Sequence, residues 1–409
     1  MSADVAIVGA GIVGLSTAFA LIQRGHRVTI IERGEIARGA SYGNAGAFAF
    51  SDVMPLASPG IMKKAPRWLL DPVGPLSVRP SYLPALAPWL YRFWRASRAS
   101  AAAGSLTAQA AMMRLARTEA PALLDAAGLA GHLRREGALE VYEGEASFKA
   151  ALASWDARAA EGVAFHHVTG AELAAAQPGL SPRFTHGTLI PGWCTISDPY
   201  DYAVALADVV RARGGTFVTG EVKAIGDGPV VTLDGETIAA DHVVIAAGAW
   251  SKQLTAPLGD PVPLETERGY NTTLPADAFD LKRHITFPEH GFVISRLNSG
   301  VRVGGAVELG GLRLAPNFAR ADAMLAKAKR FLPDLVTEGG RQWMGFRPSM
   351  PDSLPVIGPS RRDRRILYAF GHGHLGLTQS AATARIVADM VDDMAPPLDV
   401  APFRVARFW

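Results

Sequence analysis

The feature that most constrains this chain is a glycine motif between two short apolar strands at its start. Residues 4–8 predict a buried strand, and residues 27–32 predict a second strand that ends in Glu32. Between them stands the run Gly9-Ala10-Gly11-Ile12-Val13-Gly14, followed by a helical stretch. In such a unit the first glycine allows a tight turn, the second lets backbone approach a pyrophosphate, and the third lets the helix pack on the strand. The pattern predicts a dinucleotide site in which the helix N-terminus faces the phosphates and Glu32 accepts from a ribose hydroxyl.

Two other interpretations of this segment are weaker. A GxGxxG run can be a glycine-rich turn without a ligand, but here strand, helix and acid follow in the order that a dinucleotide site requires. Residues 5–22 are largely apolar, yet they lack the basic region and the cleavage site of a signal peptide. A buried parallel strand that runs into a core helix explains the apolar run better.

Composition narrows the class of protein. The chain has 409 residues, of which 49% are hydrophobic and 19% charged, so it is globular and long enough for two domains. A formal net charge of +3, spread along the chain, gives no reason to expect nucleic-acid binding. The single cysteine, Cys194, excludes an internal disulfide, and no CxxC or HExxH motif indicates a metal site. We therefore expect a protein of a reducing, cytoplasmic compartment that holds no metal.

The order of predicted elements indicates an interrupted nucleotide-binding domain. A helix over 201–213, strands over 216–219, 228–233, 241–246 and 366–370, a hairpin turn at 234–235 and a closing helix over 375–394 continue the opening unit. An Ala-rich helical stretch over 81–128 and strands over 139–142, 188–190, 291–295 and 301–303 indicate a second sheet. We predict an α/β fold (α+β overall) with two domains. The Rossmann-like domain comprises residues 1–48, 150–180, 198–260 and 340–409, and the inserted substrate domain, on a mixed or antiparallel sheet with helices, comprises 49–149, 181–197 and 261–339.

Six short motifs then occur in one order along the chain. They are GAGIVG at 9–14, SYGNAG at 41–46, VVIAAGAWS at 243–251, ERGY at 267–270, GFRPSMPDSLPVIG at 345–358 and GHGHLGLT at 371–378. On these motifs the chain resembles, over essentially its whole length, the FAD-dependent D-amino-acid oxidase superfamily and, within it, the bacterial D-amino-acid dehydrogenases.

The resemblance implies one noncovalently held FAD, because the Cys of covalent relatives has no counterpart in residues 345–351. In the family the 41–46 loop lies along the pyrophosphate and flavin edge, and the 371–378 turn points a helix N-terminus at the flavin ring, where it stabilises the negative charge of the reduced state. Besides the 9–14 motif and Glu32, the implied cofactor residues are Arg33, Ser41, Asn44, Ala45, Gly46, Val222, Ala247, Gly248, Trp250, Gly371, His372, Gly373, His374, Leu375, Gly376, Leu377 and Thr378. The plain alternatives are a surface turn at 41–46 and a core strand at 243–248.

The resemblance also implies the substrate residues. Arg347 matches the carboxylate-binding segment, and a guanidinium binds a carboxylate through two hydrogen bonds. Its alternative is a structural ion pair. Tyr270 is a second candidate through its hydroxyl, and Arg268 could hold either the substrate or only the local fold. Relatives often have His after that tyrosine, where this chain has Asn271, so the preferred side chain stays open.

The implied activity is oxidative deamination of D-amino acids by hydride transfer from Cα to flavin N5, with no general base assigned. Oxidase relatives place a Lys over the flavin, and residues 304–310 contain none, which favours quinone or another electron carrier over oxygen. The alternatives are an oxidase or dehydrogenase of N-alkyl or cyclic amino acids, such as sarcosine, D-proline or D-hydroxyproline, and a non-catalytic FAD-binding subunit of a larger complex. The sequence does not indicate an oligomeric state.

Residues 55–98 bear on membrane contact. This segment mixes Trp68, Trp89 and Trp94 with tyrosines, arginines, leucines and prolines. Tryptophan and arginine on an amphipathic surface suit peripheral contact with the inner face of a membrane. The competing interpretation is a set of helices that cover the active site.

Overall fold

Two large β-sheets organise the chain, and a cavity lies where they meet. The computed structural model describes residues 2–63, 74, 76–226, 228–233 and 235–409. The first large sheet has six strands and contains the opening strand. Its order is β10 (Thr216–Thr219), β2 (Arg27–Glu32), β1 (Asp4–Val8), β14 (His242–Ile245), β21 (Ile366–Phe370) and β20 (Val356–Pro359). Neighbouring strands are parallel except β20, which pairs antiparallel with β21.

Both faces of this sheet are covered, which explains why its central strands are largely apolar. Along β1, Val5 and Ile7 join a hydrophobic cluster with α1 (Ile12–Gln23), α6 (Pro199–Ala212) and α9 (Gly376–Val391). Ala6 and Val8 face the other way. There they join a cluster with the antiparallel sheet β11 (Ala224–Ile225), β12 (Val230–Thr232) and β13 (Thr237–Ala239), and with α7 (Ser251–Thr255).

The second large sheet has nine strands and is mixed. Its order is β19 (Arg341–Ser349), β15 (Glu265–Leu274), β18 (Gly300–Leu309), β17 (Phe292–Leu297), β16 (His284–Phe287), β6 (Ala138–Glu143), β8 (Phe184–Ile190) and β7 (His166–Thr169), with β4 (Leu76–Val78) beside β18. Pairing is antiparallel except for β16 with β6 and β18 with β4. Helices α5 (Gly170–Ala176) and α8 (Ala319–Phe331) pack in its hydrophobic cluster, and α4 (Gly144–Ala160) follows β6.

A small antiparallel sheet and two helices complete the fold. The sheet joins β3 (Ala47–Phe48), β9 (Cys194–Ile196) and β5 (Leu133–Arg134). The Cys194 side chain is buried in the core, where burial raises the pKa of its thiol. Helix α2 (Leu83–Ala96) packs beside β4 and β18, and α3 (Ala99–Ala126) packs on α9.

The mixed α/β character agrees with the structure, and the predicted helices and strands correspond to observed ones. The predicted strand over 241–246 is β14 of the six-stranded sheet, and the hairpin instead joins β12 to β13, a strand that the sequence does not predict. Residue 234 of its turn lies outside the described residues. The domain boundaries stay a prediction, but four segments lie differently from it. Helix α5, assigned to the nucleotide-binding domain, packs in the hydrophobic cluster of the nine-stranded sheet. Strands β7 and β19, assigned to the nucleotide-binding domain, pair within the nine-stranded sheet. Helix α3, assigned to the substrate domain, packs on α9 beside the parallel sheet.

A buried carboxylate ties the end of the six-stranded sheet to the segment after α7. Asp260 is fully buried and accepts hydrogen bonds from the Ser360 hydroxyl at 2.8 Å, the Arg361 Nε at 2.7 Å and the Tyr368 hydroxyl at 2.8 Å. Burial raises the pKa of this carboxyl, but the hydrogen bonds outweigh burial and hold the pKa below its usual value. A depressed native pKa stabilises the fold above the unfolded-state pKa, and that stabilisation is lost as pH falls through the native value.

We expect Asp260→Asn to lower the free energy of unfolding by about 1–3 kcal/mol at neutral pH, because the amide leaves part of this network unmade. The difference between variant and native protein should shrink below about pH 4, where the carboxyl of the unfolded chain begins to bind a proton, and it is lost as pH falls through the lower native pKa. Urea unfolding at several pH values measures both effects. Asp277→Asn, at an exposed position, is the control. A stability difference that persists unchanged in acid would contradict the role of the charge.

Candidate active site

A cavity of about 1370 Å³ lies between the two large sheets. One end is lined by the turns that follow β1, β2 and β14. The other end is lined by residues of β15, β18 and β19. Because ligands of open parallel sheets bind beyond the carboxyl ends of the strands, the first end is suited to a nucleotide and the second to what reacts with it.

The three motif glycines have three different environments. Gly9 has φ +109°, and a Cβ there would come within 2.6 Å of the Ala246 carbonyl oxygen. A Cβ on Gly14 would collide with the Gly9 carbonyl oxygen, so this glycine lets α1 press onto the turn. Gly11 instead borders the cavity. The tight turn, the close helix packing and the open approach that the sequence predicts are therefore all present.

Side chains from neighbouring loops hold this turn in place. The Glu32 carboxylate accepts from the Ala10 N–H at 2.8 Å, and the Ser41 hydroxyl accepts from the Ile12 N–H at 3.0 Å. The first turn of α1 contains no acidic side chain. The N-terminus of α1 borders the cavity, where its partial positive charge suits a pyrophosphate.

The nucleotide end is closed by an aromatic and apolar wall. The Arg33 guanidinium lies over the Trp250 ring, 3.7 Å from its centroid. Val222, Ala247 and Gly248 line the same end. A flat base fits such a surface, where stacking and backbone contacts replace charged recognition.

The turn between β21 and α9 forms another wall of the cavity. His372 is buried and lies 2.9 Å from the Thr383 hydroxyl oxygen, and burial lowers the pKa of its ring to about 3, so the imidazole is neutral. Burial also opposes charge on His374, but the Asp52 carboxylate 2.9 Å away outweighs it and raises the pKa of His374 above its usual value. The first turn of α9 has no acidic residue, so a second helix N-terminus borders the site.

Most of the predicted cofactor residues line the cavity. They are Gly9, Gly11, Ile12, Val13, Glu32, Arg33, Ser41, Asn44, Ala45, Val222, Ala247, Gly248, Trp250, His372, Gly373, His374, Leu375, Gly376 and Leu377. Five others lie behind it: Ala10, Gly14, Gly46, Gly371 and Thr378. They support the lining, as when the Thr378 hydroxyl accepts from the Ala49 N–H at 3.0 Å.

Arg347 reaches the cavity from β19. Its guanidinium crosses Gly269 of the next strand and donates to the Ala306 carbonyl at 3.0 Å and the Gly305 carbonyl at 3.4 Å. Among the described residues it has no carboxylate partner within ion-pair distance. Burial lowers the pKa of Arg347, and the group stays a cation. The arrangement leaves guanidinium N–H groups free to bind an anion.

Tyr270 and Arg268 are engaged inside the protein. The Tyr270 hydroxyl donates to Glu308 at 2.5 Å and accepts from the Asn317 N–H at 2.9 Å. Arg268 is fully buried and does not line the cavity. Its guanidinium donates to the Gly311 and Leu314 carbonyls, both at 2.7 Å. For Arg268 the geometry favours the local-fold alternative, and the Tyr270 hydroxyl is engaged by protein groups, although Tyr270 is among the residues that line the cavity.

Several polar residues line this cavity that the sequence does not identify as site residues. Glu267, Asp52, Arg302 and Trp343 line the cavity. Glu267 opens the ERGY motif at 267–270, but no local sequence pattern distinguishes a carboxylate that faces a cavity from one at the surface. The signal for Glu267 is register, since it pairs directly with Arg347 across β15 and β19.

Helix α2 lies over the cavity and also faces outward. Trp89 is buried, stacked on Phe93 at 5.2 Å, and both rings line the cavity. The covering role expected for residues 55–98 is therefore present, and Trp89 is not available for a membrane. Trp68 lies outside the described residues.

In the described part of the chain, no helix is long and apolar enough to span a bilayer. Among the same residues, no group of three or more histidine, cysteine, aspartate or glutamate side chains is placed to hold a metal ion.

Fold and cavity together define a dinucleotide-binding protein with a substrate-binding sheet. The chain belongs to the FAD dependent oxidoreductase family, whose model matches residues 4–390. It is 39% identical to a D-amino-acid oxidase of Bradyrhizobium diazoefficiens, over 99% of this chain and 98% of that protein. It is 32% identical to a D-amino acid dehydrogenase of Agrobacterium fabrum, over 99% of each. Glycine oxidase from Geobacillus kaustophilus has the same fold, with a TM-score of 0.79 and 25% identity over 99% of each chain.

The cofactor of this oxidoreductase is FAD, and the residues present fit it. The glycine turn and the α1 N-terminus suit the pyrophosphate, the Arg33–Trp250 wall suits the adenine, and the 371–378 turn lies where the motif predicts the flavin ring.

We expect Gly14→Ala to lower FAD content and thermal stability together, because the new methyl group would force α1 away from the Gly9 carbonyl. FAD per polypeptide is measured as the yellow chromophore that acid precipitation releases into the supernatant, which also checks that the flavin is noncovalent. Gly104→Ala, on α3 with open space at its Cβ, is the control and should retain full FAD. Full occupancy in the Gly14 variant would refute this account of the turn.

Proposed function

We propose that this protein is an FAD-dependent D-amino-acid dehydrogenase, which oxidatively deaminates D-amino acids to 2-oxo acids and ammonia. The observation that carries the proposal is Arg347. Its guanidinium borders the cavity beside the flavin turn and has only backbone carbonyls as hydrogen-bond partners among the described residues. A cation held in this way is suited to a substrate carboxylate. The D configuration rests on the similarity to a D-amino-acid oxidase and a D-amino acid dehydrogenase.

The bound FAD supplies the hydride acceptor, and the protein supplies position and exclusion of water. Arg347 fixes the substrate carboxylate and thereby orients Cα. The His372 ring is neutral, so it adds no charge to the cavity lining. The rings of Trp89, which is buried, and Phe93, which is half-buried, cover the cavity from α2, so that the substrate reacts away from bulk water. Asp52 pairs with His374, and we assign neither as a general base.

The direct test is anaerobic mixing of the yellow protein with a panel of D- and L-amino acids. The proposal expects D-amino acids to bleach the flavin and to yield a 2-oxo acid and ammonia. Bleaching by L-amino acids alone, by sarcosine alone or by no amine would reject it.

For Arg347→Ala we expect retained FAD and a loss of substrate affinity. A charge-assisted contact to a carboxylate is worth about 1.5–3 kcal/mol, or roughly ten-fold to over a hundred-fold in binding. Stopped-flow reduction at varied substrate concentration measures the loss. Arg341→Ala, exposed on the same strand, is the control. Unchanged kinetics in the Arg347 variant would show that the guanidinium is structural.

We further propose that the electrons pass to a membrane quinone. The outward side of α2 supports this proposal, because Tyr91 and Trp94 are 58% and 43% exposed and Arg92, Arg95 and Arg98 are exposed around them. Aromatic rings with cations suit the interface of an anionic bilayer. Residues 304–307, which line the cavity, include no Lys, as the dehydrogenase interpretation expects.

This proposal expects slow turnover with oxygen, fast turnover with a quinone analogue, and salt-sensitive binding to anionic vesicles. Replacing Tyr91 and Trp94 together by Ser should reduce the vesicle-bound fraction in a sedimentation assay, whereas Trp409→Ser, at an equally exposed aromatic residue, should not. Oxygen turnover as fast as dye reduction, with peroxide formed, would assign the protein to the oxidases. Equal vesicle binding by both variants would remove the membrane role of α2.

A further inference from the structure

The Glu267 carboxylate lines the cavity and has no role in the proposed deamination. Glu267 lies on β15, is 5% exposed, and lines the cavity near Arg347. Among the described residues its carboxylate has no hydrogen bond and no ion pair, although it is close enough to Arg347 and His374 to influence both electrostatically. A carboxylate without a protein partner becomes costly when a ligand displaces the water around it, unless the ligand supplies the compensating charge.

Strand geometry explains why Arg347 does not compensate Glu267. The two residues are directly opposite in the β15–β19 register, and their side chains share a face. The guanidinium, however, crosses Gly269 toward the Gly305 and Ala306 carbonyls of β18, and thereby leaves the carboxylate. Glycine at 269 makes this path possible, because any side chain there would occupy the position of the guanidinium.

Two other cations that line the cavity have partners of their own. The Arg302 guanidinium donates to the Thr273 hydroxyl at 3.0 Å and to the Asn44 carbonyl at 2.5 Å. His374 lies 2.9 Å from Asp52, so that pair is neutral as a whole. The pyrophosphate of FAD is an anion and cannot compensate a carboxylate. When a substrate carboxylate binds Arg347, the Glu267 carboxylate still has no charged partner among the described residues.

The substrate amine is a poor partner for this charge. Hydride transfer needs the amine neutral, and a carboxylate beside it would favour the protonated form. A cation further along the substrate compensates Glu267 without that penalty.

We propose that Glu267 selects D-amino acids with a cationic side chain, such as D-arginine, D-lysine or D-ornithine. The inference rests on the proposed function and makes Glu267 a specificity-determining residue of the same site. The carboxylate accepts a charge-assisted hydrogen bond from the guanidinium or ammonium group while Arg347 holds the substrate carboxylate.

The test compares each cationic substrate with a neutral one of nearly equal shape: D-arginine with D-citrulline, and D-lysine with D-norleucine. We expect kcat/KM for the cationic member to be at least about ten-fold higher in the native protein. Glu267→Gln should bring the ratio close to one. The control is Glu265→Gln, two residues earlier on β15. Its carboxylate is also buried, but it is bound by the Tyr82 hydroxyl at 2.9 Å and does not line the cavity, so the ratio should persist.

The outcomes separate the two proposals. Equal kcat/KM for the cationic and neutral members in the native protein, or an unchanged ratio in Glu267→Gln with FAD retained, overturns the role of Glu267 and leaves the deamination proposal intact. If no D-amino acid reduces the flavin, the deamination proposal fails. A titration of flavin absorbance with D-arginine and with D-citrulline then still decides the inference: tighter binding of D-arginine that Glu267→Gln abolishes supports it, and equal Kd values overturn it.

Discussion

The close approach of α1 to the first strand is the constraint on which the cofactor end of this molecule depends. It requires a bare backbone at Gly14 and at Gly9, since a single methyl group at either position would meet a carbonyl oxygen. Once the helix lies there, its N-terminus points into the cavity, and the amide dipoles provide positive potential without any charged side chain. Glu32 and Ser41 fix the turn by accepting hydrogen bonds from its amides. The capacity of this end to bind a pyrophosphate thus depends mainly on the conformation of the backbone.

The substrate end obeys a different rule, because its chemistry lies in side chains on three adjacent strands. Register across β15 and β19 places Glu267 opposite Arg347, and the small residue at 269 lets the guanidinium reach β18. Since these residues project from strands into the cavity, their substitution changes the charge of its lining. Selectivity at this end can therefore vary while the fold and the cofactor end stay the same.

The sequence predicts the turns, whose conformation depends on neighbouring residues. It does not predict which sheet a strand joins, because that depends on pairing with distant segments. The turn after β1 and the turn before α9 are identified by glycine spacing, because the conformation and the close contacts are set within a few residues. Strands β7 and β19 are short or polar at their ends, and only their partners reveal which sheet they join. Arg268 and Arg347 look equally able to bind a carboxylate in sequence. Alternation along β15 then turns Arg268 away from the cavity, where the Gly311 and Leu314 carbonyls occupy it.

Arg347 carries a charge that the empty protein does not neutralise and that an anionic ligand can. Burial lowers the pKa of its guanidinium, and the two carbonyl acceptors orient the group but do not neutralise it. An ion pair with Glu267 would have stabilised the empty protein at the expense of substrate binding, because an incoming carboxylate would first have to displace it. Keeping the two charges on one face but unpaired costs stability in the empty cavity. It leaves both groups available, and a substrate that carries a carboxylate at one end and a cation at the other compensates them together.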